Sequence, residues 1–199
     1  RFEARWQSEA ERAQARQALA RFLGYHERAD RELIETEANG SALVEVPRPD
    51  GDAEEVRISG FIDRIERDSE GRYLPIDLKN MRYAPSAAEI PEHGQLGLYQ
   101  LLLREGGVRL GGSEPERLPV GGAALVQLRV GESRAPDEPK VQTQDPLPEE
   151  RPTWVEVRLG EAVQILRDEG FDARRGGSCT FCQYKRVCPG WEQGEQVTP

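Results

Sequence analysis

Apolar residues recur near helical spacing from Phe2 through Trp6, Ala13 and Leu19 to Leu23, set among Arg, Glu and Gln, and Gly24 follows as a stop. That pattern predicts a long, Arg-rich amphipathic helix. From Ile34 to Val46 and from Val56 to Ile65 the pattern turns to β-type residues, broken by the turn cluster Pro47, Pro49, Asp50 and Gly51. A third strand is predicted from Tyr73 to Lys79. Pro91 then precedes an apolar run, Gln95 to Leu103, that reads as a buried helix ended by Gly106 and Gly107. Ala123 to Val130 is a further strand, and the acidic, proline-bearing stretch from Gly131 to Pro152 reads as a mobile loop. Trp154 to Val157 is a short strand candidate, and Gly160 to Gly170 a helix. Strands mixed with helices predict an α/β layer.

The 199 residues suit one domain, with 37% hydrophobic and 32% charged positions. Its expected parts are an N-terminal helix (1–25), a core (34–130), a loop (131–153) and a C-terminal helix with a tail (154–199). No run approaches the roughly 18 apolar residues of a membrane span, and no signal-peptide pattern opens the chain. A cytoplasmic protein without membrane contact is the expectation. The chain begins at Arg1 without a methionine, which suggests a domain cut from something larger. With 36 acidic against 27 basic residues, the net charge of -9 has the wrong sign for a free-standing DNA binder that relies on phosphate neutralisation. If DNA is the substrate, a local basic groove, metal ions or a partner must supply the attraction.

The chemistry concentrates in Gly60-Phe61-Ile62-Asp63-Arg64-Ile65 and Pro75-Ile76-Asp77-Leu78-Lys79. Side chains alternate along a strand, so Asp77 and Lys79 point one way while Ile76 and Leu78 point the other. Between the two segments lies Asp68-Ser69-Glu70-Gly71, a turn-rich tetrapeptide that predicts an antiparallel hairpin. If Asp68 faces Arg72, counting back along both strands brings Asp63 opposite Asp77, about 5 Å away on the same face. Two carboxylates so close need a cation between them, and a divalent ion is the usual one. Asp63 and Asp77 are therefore candidate Mg²⁺ or Mn²⁺ ligands, with the Leu78 carbonyl as a third oxygen. Lys79 would orient the attacking water and neutralise charge on the scissile phosphate.

A lone D-x-K is usually a solvated surface pattern. Here it is preceded by G-x-x-D-R-I and followed by Gln95-Leu96-Gly97-Leu98-Tyr99, in which Gln95 and Tyr99 share a helical face at i and i+4. The three motifs in this order resemble the RecB/AddB nucleases of the PD-(D/E)XK class, over roughly Phe2 to Val197. The resemblance implies a restriction-endonuclease-like fold: a mixed central sheet flanked by helices, with a cysteine-bearing C-terminal tail. It also implies that Gln95 and Tyr99 lie near the active site and the DNA, and that Glu37 matches an acidic residue on the first strand. The family's histidine has no convincing counterpart, because neither His26 nor His93 has its surroundings.

All three cysteines fall in Cys179-Thr180-Phe181-Cys182 and Cys188-Pro189. In a cytoplasmic protein such clustering favours a metal site over disulfides, with zinc the general-purpose choice. The resemblance implies instead three ligands of a [4Fe-4S] cluster, the fourth cysteine lying upstream of this chain.

The implied function is a metal-dependent DNA nuclease. It would cut single strands delivered by a helicase domain of the same polypeptide, working with a partner helicase-nuclease subunit in double-strand-break repair. The competing readings are a catalytically inactive nuclease-like module that only holds DNA or a subunit, and a zinc-stabilised binding domain. Two facing carboxylates beside a lysine favour the active enzyme, because neither competitor needs them.

Overall fold

Turn chemistry sets the first half of the fold. A computed structural model of the chain describes residues 5–170 and 172–191; the predicted helix start at Phe2 and the end of the family-like region at Val197 lie outside them. The elements are α1 (Arg5–Arg28), β1 (Glu32–Pro47), β2 (Ala53–Arg67), β3 (Tyr73–Lys79), α2 (Gly94–Arg104), β4 (Ala123–Gly131), β5 (Pro139–Gln144) and α3 (Trp154–Arg167). The five strands form one sheet in the order β1-β2-β3-β4-β5, in which β3 and β4 run parallel and every other pair antiparallel. With helices on both faces, this is the mixed, helix-flanked sheet expected of a restriction-endonuclease-like fold.

The β2–β3 turn is closed by the Asp68 N–H on the Arg72 carbonyl at 2.9 Å and the Gly71 N–H on the Asp68 carbonyl at 3.0 Å. Gly71 has φ +79°, a conformation that a side chain would strain. One Asp68 carboxylate oxygen accepts from the Glu70 and Arg72 N–H groups. This turn sets the register of the pair: Arg67↔Tyr73, Glu66↔Leu74, Ile65↔Pro75 and Arg64↔Ile76.

The sheet separates two apolar layers. On one face Ile62 and Ile65 pack with Leu101, Leu103 and Val155 of α2 and α3. On the other, Ile76, Ala124 and Val126 pack under Tyr25 of α1. Each large aliphatic side chain so buried contributes on the order of 1.5–3 kcal/mol.

Three boundaries differ from expectation. α1 runs through Gly24 to Arg28, because Tyr25 packs on the sheet and donates its hydroxyl to Glu66 at 3.1 Å. That tertiary anchoring outweighs the roughly 1 kcal/mol helix penalty of glycine. The stretch 131–153 is not simply a loop, since it contains β5. In this strand Gln142 and Gln144 are buried and Val141 is exposed, so apolar periodicity is silent. The glutamine amides are satisfied at long range, by the carbonyl of Pro85 for Gln142 and that of Ile90 for Gln144, each at 2.9 Å. Trp154 to Val157 is the first part of α3 rather than a strand: Glu156 reaches back to accept from the Thr153 N–H at 2.5 Å, half of a capping box.

Candidate active site

At the C-terminal ends of β3 and β4, β2 and β3 part company. The last described rung of their ladder is Arg64↔Ile76. The next position is the facing pair Asp63 and Asp77. There the Leu78 N–H, which a continuing ladder could have used, is taken by Asp63 Oδ2 at 2.8 Å. A backbone donor is thereby satisfied, and the Asp63 carboxylate is aimed at β3.

Asp77 is only 2% exposed. Its Oδ2 lies 2.7 Å from Lys79 Nζ, yet the approach is too oblique for a hydrogen bond, so the oxygen keeps no aligned donor. Lys79 donates to Gln95 Oε1 at 2.9 Å, Gln95 Nε2 to the Tyr99 hydroxyl at 2.8 Å, and Tyr99 to Asp77 Oδ1 at 3.5 Å. The four side chains therefore close a ring. α2 supplies half of it because its i and i+4 positions sit one above the other on the face that meets β3. Gly97, on the other side of the helix, lets α2 approach α3: a Cβ there would fall 2.5 Å from Val155 and 2.7 Å from Trp154. Burial holds the Tyr99 phenol above its ordinary value, and the Asp77 and Asp63 charges add to it. It stays a neutral donor.

The predicted residues Asp63, Asp77, Lys79, Gln95 and Tyr99 thus come together. Glu37 occupies the β1 position facing Asp63, between the pairs Thr36↔Arg64 and Ala38↔Ile62, but with φ +52° it leaves the ladder and is exposed. Among the described residues no three His, Cys, Asp or Glu side chains form a group that could hold a metal. The three cysteines are free and partly exposed in a segment of 3-10 turns, where the Gly176 N–H donates to Cys179 Sγ at 3.3 Å.

Two further residues belong to the neighbourhood. His93 precedes the first residue of α2 close enough to feel the Asp77 and Lys79 charges; burial, with Lys79 adding, holds it below its ordinary value against the pull of Asp77. Gln127 shares the rung of Lys79 and is fully buried. His93 Nδ1 and Gln127 Oε1 are buried without a hydrogen-bond partner, as is Asp77 Oδ2 apart from its ion pair with Lys79; such groups accommodate a water or an ion. A lone glutamine inside the apolar run Ala123 to Leu128 was the available signal for the second. His26 lies on the opposite face, with Nδ1 3.3 Å from Arg64.

A family model described as the PD-(D/E)XK nuclease superfamily matches residues 1–189. A solved structure described as the crystal structure of SSO0001 is similar at 20% identity, over 78% of this chain and 60% of that one, with a TM-score of 0.45. The chain thus spans about three-fifths of that protein's length. No curated protein matches.

Proposed function

We propose that this chain, which belongs to the PD-(D/E)XK nuclease superfamily, hydrolyses phosphodiester bonds of DNA with a divalent metal held by Asp63 and Asp77. The observation that carries the reading is the closed ring Asp77–Lys79–Gln95–Tyr99 facing Asp63. The donor set fits a hard cation. It offers two carboxylates, one with a buried oxygen that is ion-paired with Lys79 but has no aligned hydrogen bond, and leaves the remaining positions to the Leu78 carbonyl, water and phosphate.

A divalent cation in this position supplies a Lewis acid and offsets charge on the phosphate. The chain's own side chains do the rest. Lys79, held by Gln95, aligns the attacking water and stabilises negative charge on the phosphate oxygens. Tyr99 fixes the Asp77 carboxyl by donating a hydrogen bond to it, and its raised phenol holds on to the proton. Gln95 and Tyr99 lock the lysine and the carboxylate so that neither must reorganise as the bond breaks.

Within the superfamily we place the chain with the RecB/AddB nucleases, on the order and spacing of Gly60–Ile65, Asp77–Lys79 and Gln95–Tyr99. On that reading it is a single cytoplasmic domain of a larger helicase-nuclease, acting with a partner subunit on single strands in double-strand-break repair. Cys179, Cys182 and Cys188, which are not gathered into one group among the described residues, would supply three thiolates of a [4Fe-4S] cluster on being drawn together, and the N–H donated to Cys179 Sγ is of the kind that tunes such clusters. No helix among the described residues is long and apolar enough to cross a membrane.

The deciding experiment incubates the protein with end-labelled single-stranded DNA in Mg²⁺, in Mn²⁺ and in EDTA. Metal-dependent shortening is expected. Tight DNA binding with no cleavage in either metal would assign the inactive, holding role instead.

A further inference from the structure

Beyond the carboxylates, the same end of the sheet carries a second concave surface, on the α1 side. It is a groove of about 420 Å³ lined by Gln14, Gln17 and Arg21 of α1, Arg82 and Tyr83 of the segment after β3, and Arg129 of β4. Its place follows from connectivity. Tyr83 is four residues beyond Lys79, and Arg129 is two residues beyond Gln127, the rung partner of Lys79 in the parallel β3–β4 pair. At roughly 3.3 Å per residue, Arg129 lies about 7 Å past that rung.

The lining is chemically specific. Tyr83 is 82% exposed and Met81 57%, an unusual outlay of apolar surface in a segment directly attached to the proposed active site. Arg21 is 5% exposed and gives its donors to the carbonyls of Pro136, Leu128 and Arg129, which leaves its positive charge in the groove wall without cancelling it. Arg82 and Arg129 both reach towards one carboxylate, Glu11, at 3.9 and 3.2 Å. Two guanidinium groups drawn to one carboxylate, a buried third and an exposed aromatic ring match an unpaired nucleotide: phosphates pair with guanidinium groups and a base stacks on the ring. A duplex base is already stacked on its neighbours and offers no free face.

We propose that the Arg82–Tyr83–Arg129 groove seats single-stranded DNA on one side of the scissile bond, with Tyr83 stacking a base, Arg82 and Arg129 on phosphates, and Glu11 the intramolecular stand-in for phosphate that DNA displaces. This deepens the nuclease reading and rests on it. It also answers the charge problem of an acidic protein, because the attraction is local.

The test is fluorescence anisotropy in EDTA, where nothing is cut, with a labelled oligothymidylate about 12 nucleotides long and a hairpin duplex of similar length. Tyr83→Ala should weaken oligothymidylate binding about tenfold, and Tyr83→Phe should hold it near wild type. Arg82→Gln should weaken it and flatten the salt dependence by about 0.7 in log–log slope. Glu11→Gln should tighten it. Tyr83 and Arg82 are exposed, and unchanged melting temperatures would verify that their variants are folded. The groove is overturned if Tyr83→Ala binds oligothymidylate within about twofold of wild type, or if it loses the duplex equally. Metal-dependent cleavage by the wild type with unaltered Tyr83→Ala binding sinks the groove alone. Tyr83-dependent binding in a protein that never cuts supports the groove and sinks the nuclease.

Discussion

Where the β2–β3 hairpin meets α2, each chemical group is held from at least two directions: Asp63 by its own strand and the Leu78 N–H, Lys79 by Asp77 and Gln95, Tyr99 by Gln95 and the α2–α3 packing. Between Asp172 and Trp191 the three cysteines lie in or directly after short 3-10 turns, with Phe181 91% and Tyr184 72% exposed. Trp191 is the main anchor there, with Arg175 and Lys185 each within 5 Å of its ring centroid, at 4.8 and 4.7 Å. The two regions carry equally dense motifs and differ in what orders them. The hairpin is preorganised by the protein's own core, whereas the cysteine segment has little apolar burial and, on our reading, takes its order from the ligand it binds.

That contrast can be broken where it is strongest. Asp77→Asn or Lys79→Ala should reduce DNA cleavage by about 100-fold or more, as expected for removal of charge stabilisation at the reacting phosphate. The melting temperature should move little, because neither side chain packs the apolar core. A large fall in melting temperature in both variants would make the pair a structural ion pair instead. Gly97→Ala probes the support under the ring. Its Cβ would meet Val155 and Trp154 inside contact distance, so calorimetry should show destabilisation of about 1–3 kcal/mol. Cleavage should fall with it, since Gln95 and Tyr99 ride on the same helix.

Tyr25→Phe sharpens the comparison on the opposite face of the sheet. Removing the hydroxyl that Glu66 accepts should cost about 1–2 kcal/mol in denaturant titrations. Burial, then the Glu66 charge, raises the Tyr25 phenol in the folded state. Its contribution is therefore complete below the unfolded value of about 10 and declines as pH rises beyond it. Wild type should lose stability more steeply above that pH than Tyr25→Phe. The smallest effect belongs to Cys179→Ser: within about 0.5 kcal/mol for the metal-free chain, measured by melting. After anaerobic reconstitution with iron and sulfide, the same variant should retain less iron than wild type. Equal retention, or zinc in place of iron, removes the cluster.

The hairpin and its register are legible in the sequence, since Asp68 and Gly71 dictate the turn locally and a period of two then carries Asp63 to Asp77. The Gln95–Tyr99 pairing was legible for the same reason, a helical spacing of four. β5 was not, because its buried positions are Gln142 and Gln144 and nothing nearby in sequence reveals the carbonyls that satisfy them. The sequence places the start of α3 too late, because the β-type residues Trp154 to Val157 mask the Thr153–Glu156 cap. Neither the surroundings of His93 nor the isolated Gln127 mark them as site residues in the sequence, because their relation to Lys79 and Asp77 runs through the β3–β4 pairing and the seat of α2.

By itself the sequence determined the groups whose partners lie within a turn or a hairpin: the facing carboxylates, the lysine two residues on, the glutamine and tyrosine one helical turn apart, and the spacing of the cysteines. Only the tertiary structure decided which face of the sheet α1 covers, that Lys79 and Asp77 close a ring through α2, and that Arg82, Tyr83 and Arg129 border one groove. The reason is the range of the interactions involved. Turn and strand geometry act between near neighbours, whereas a ring or a groove needs side chains from segments that sequence separates and that only apolar burial on both faces of a sheet brings together.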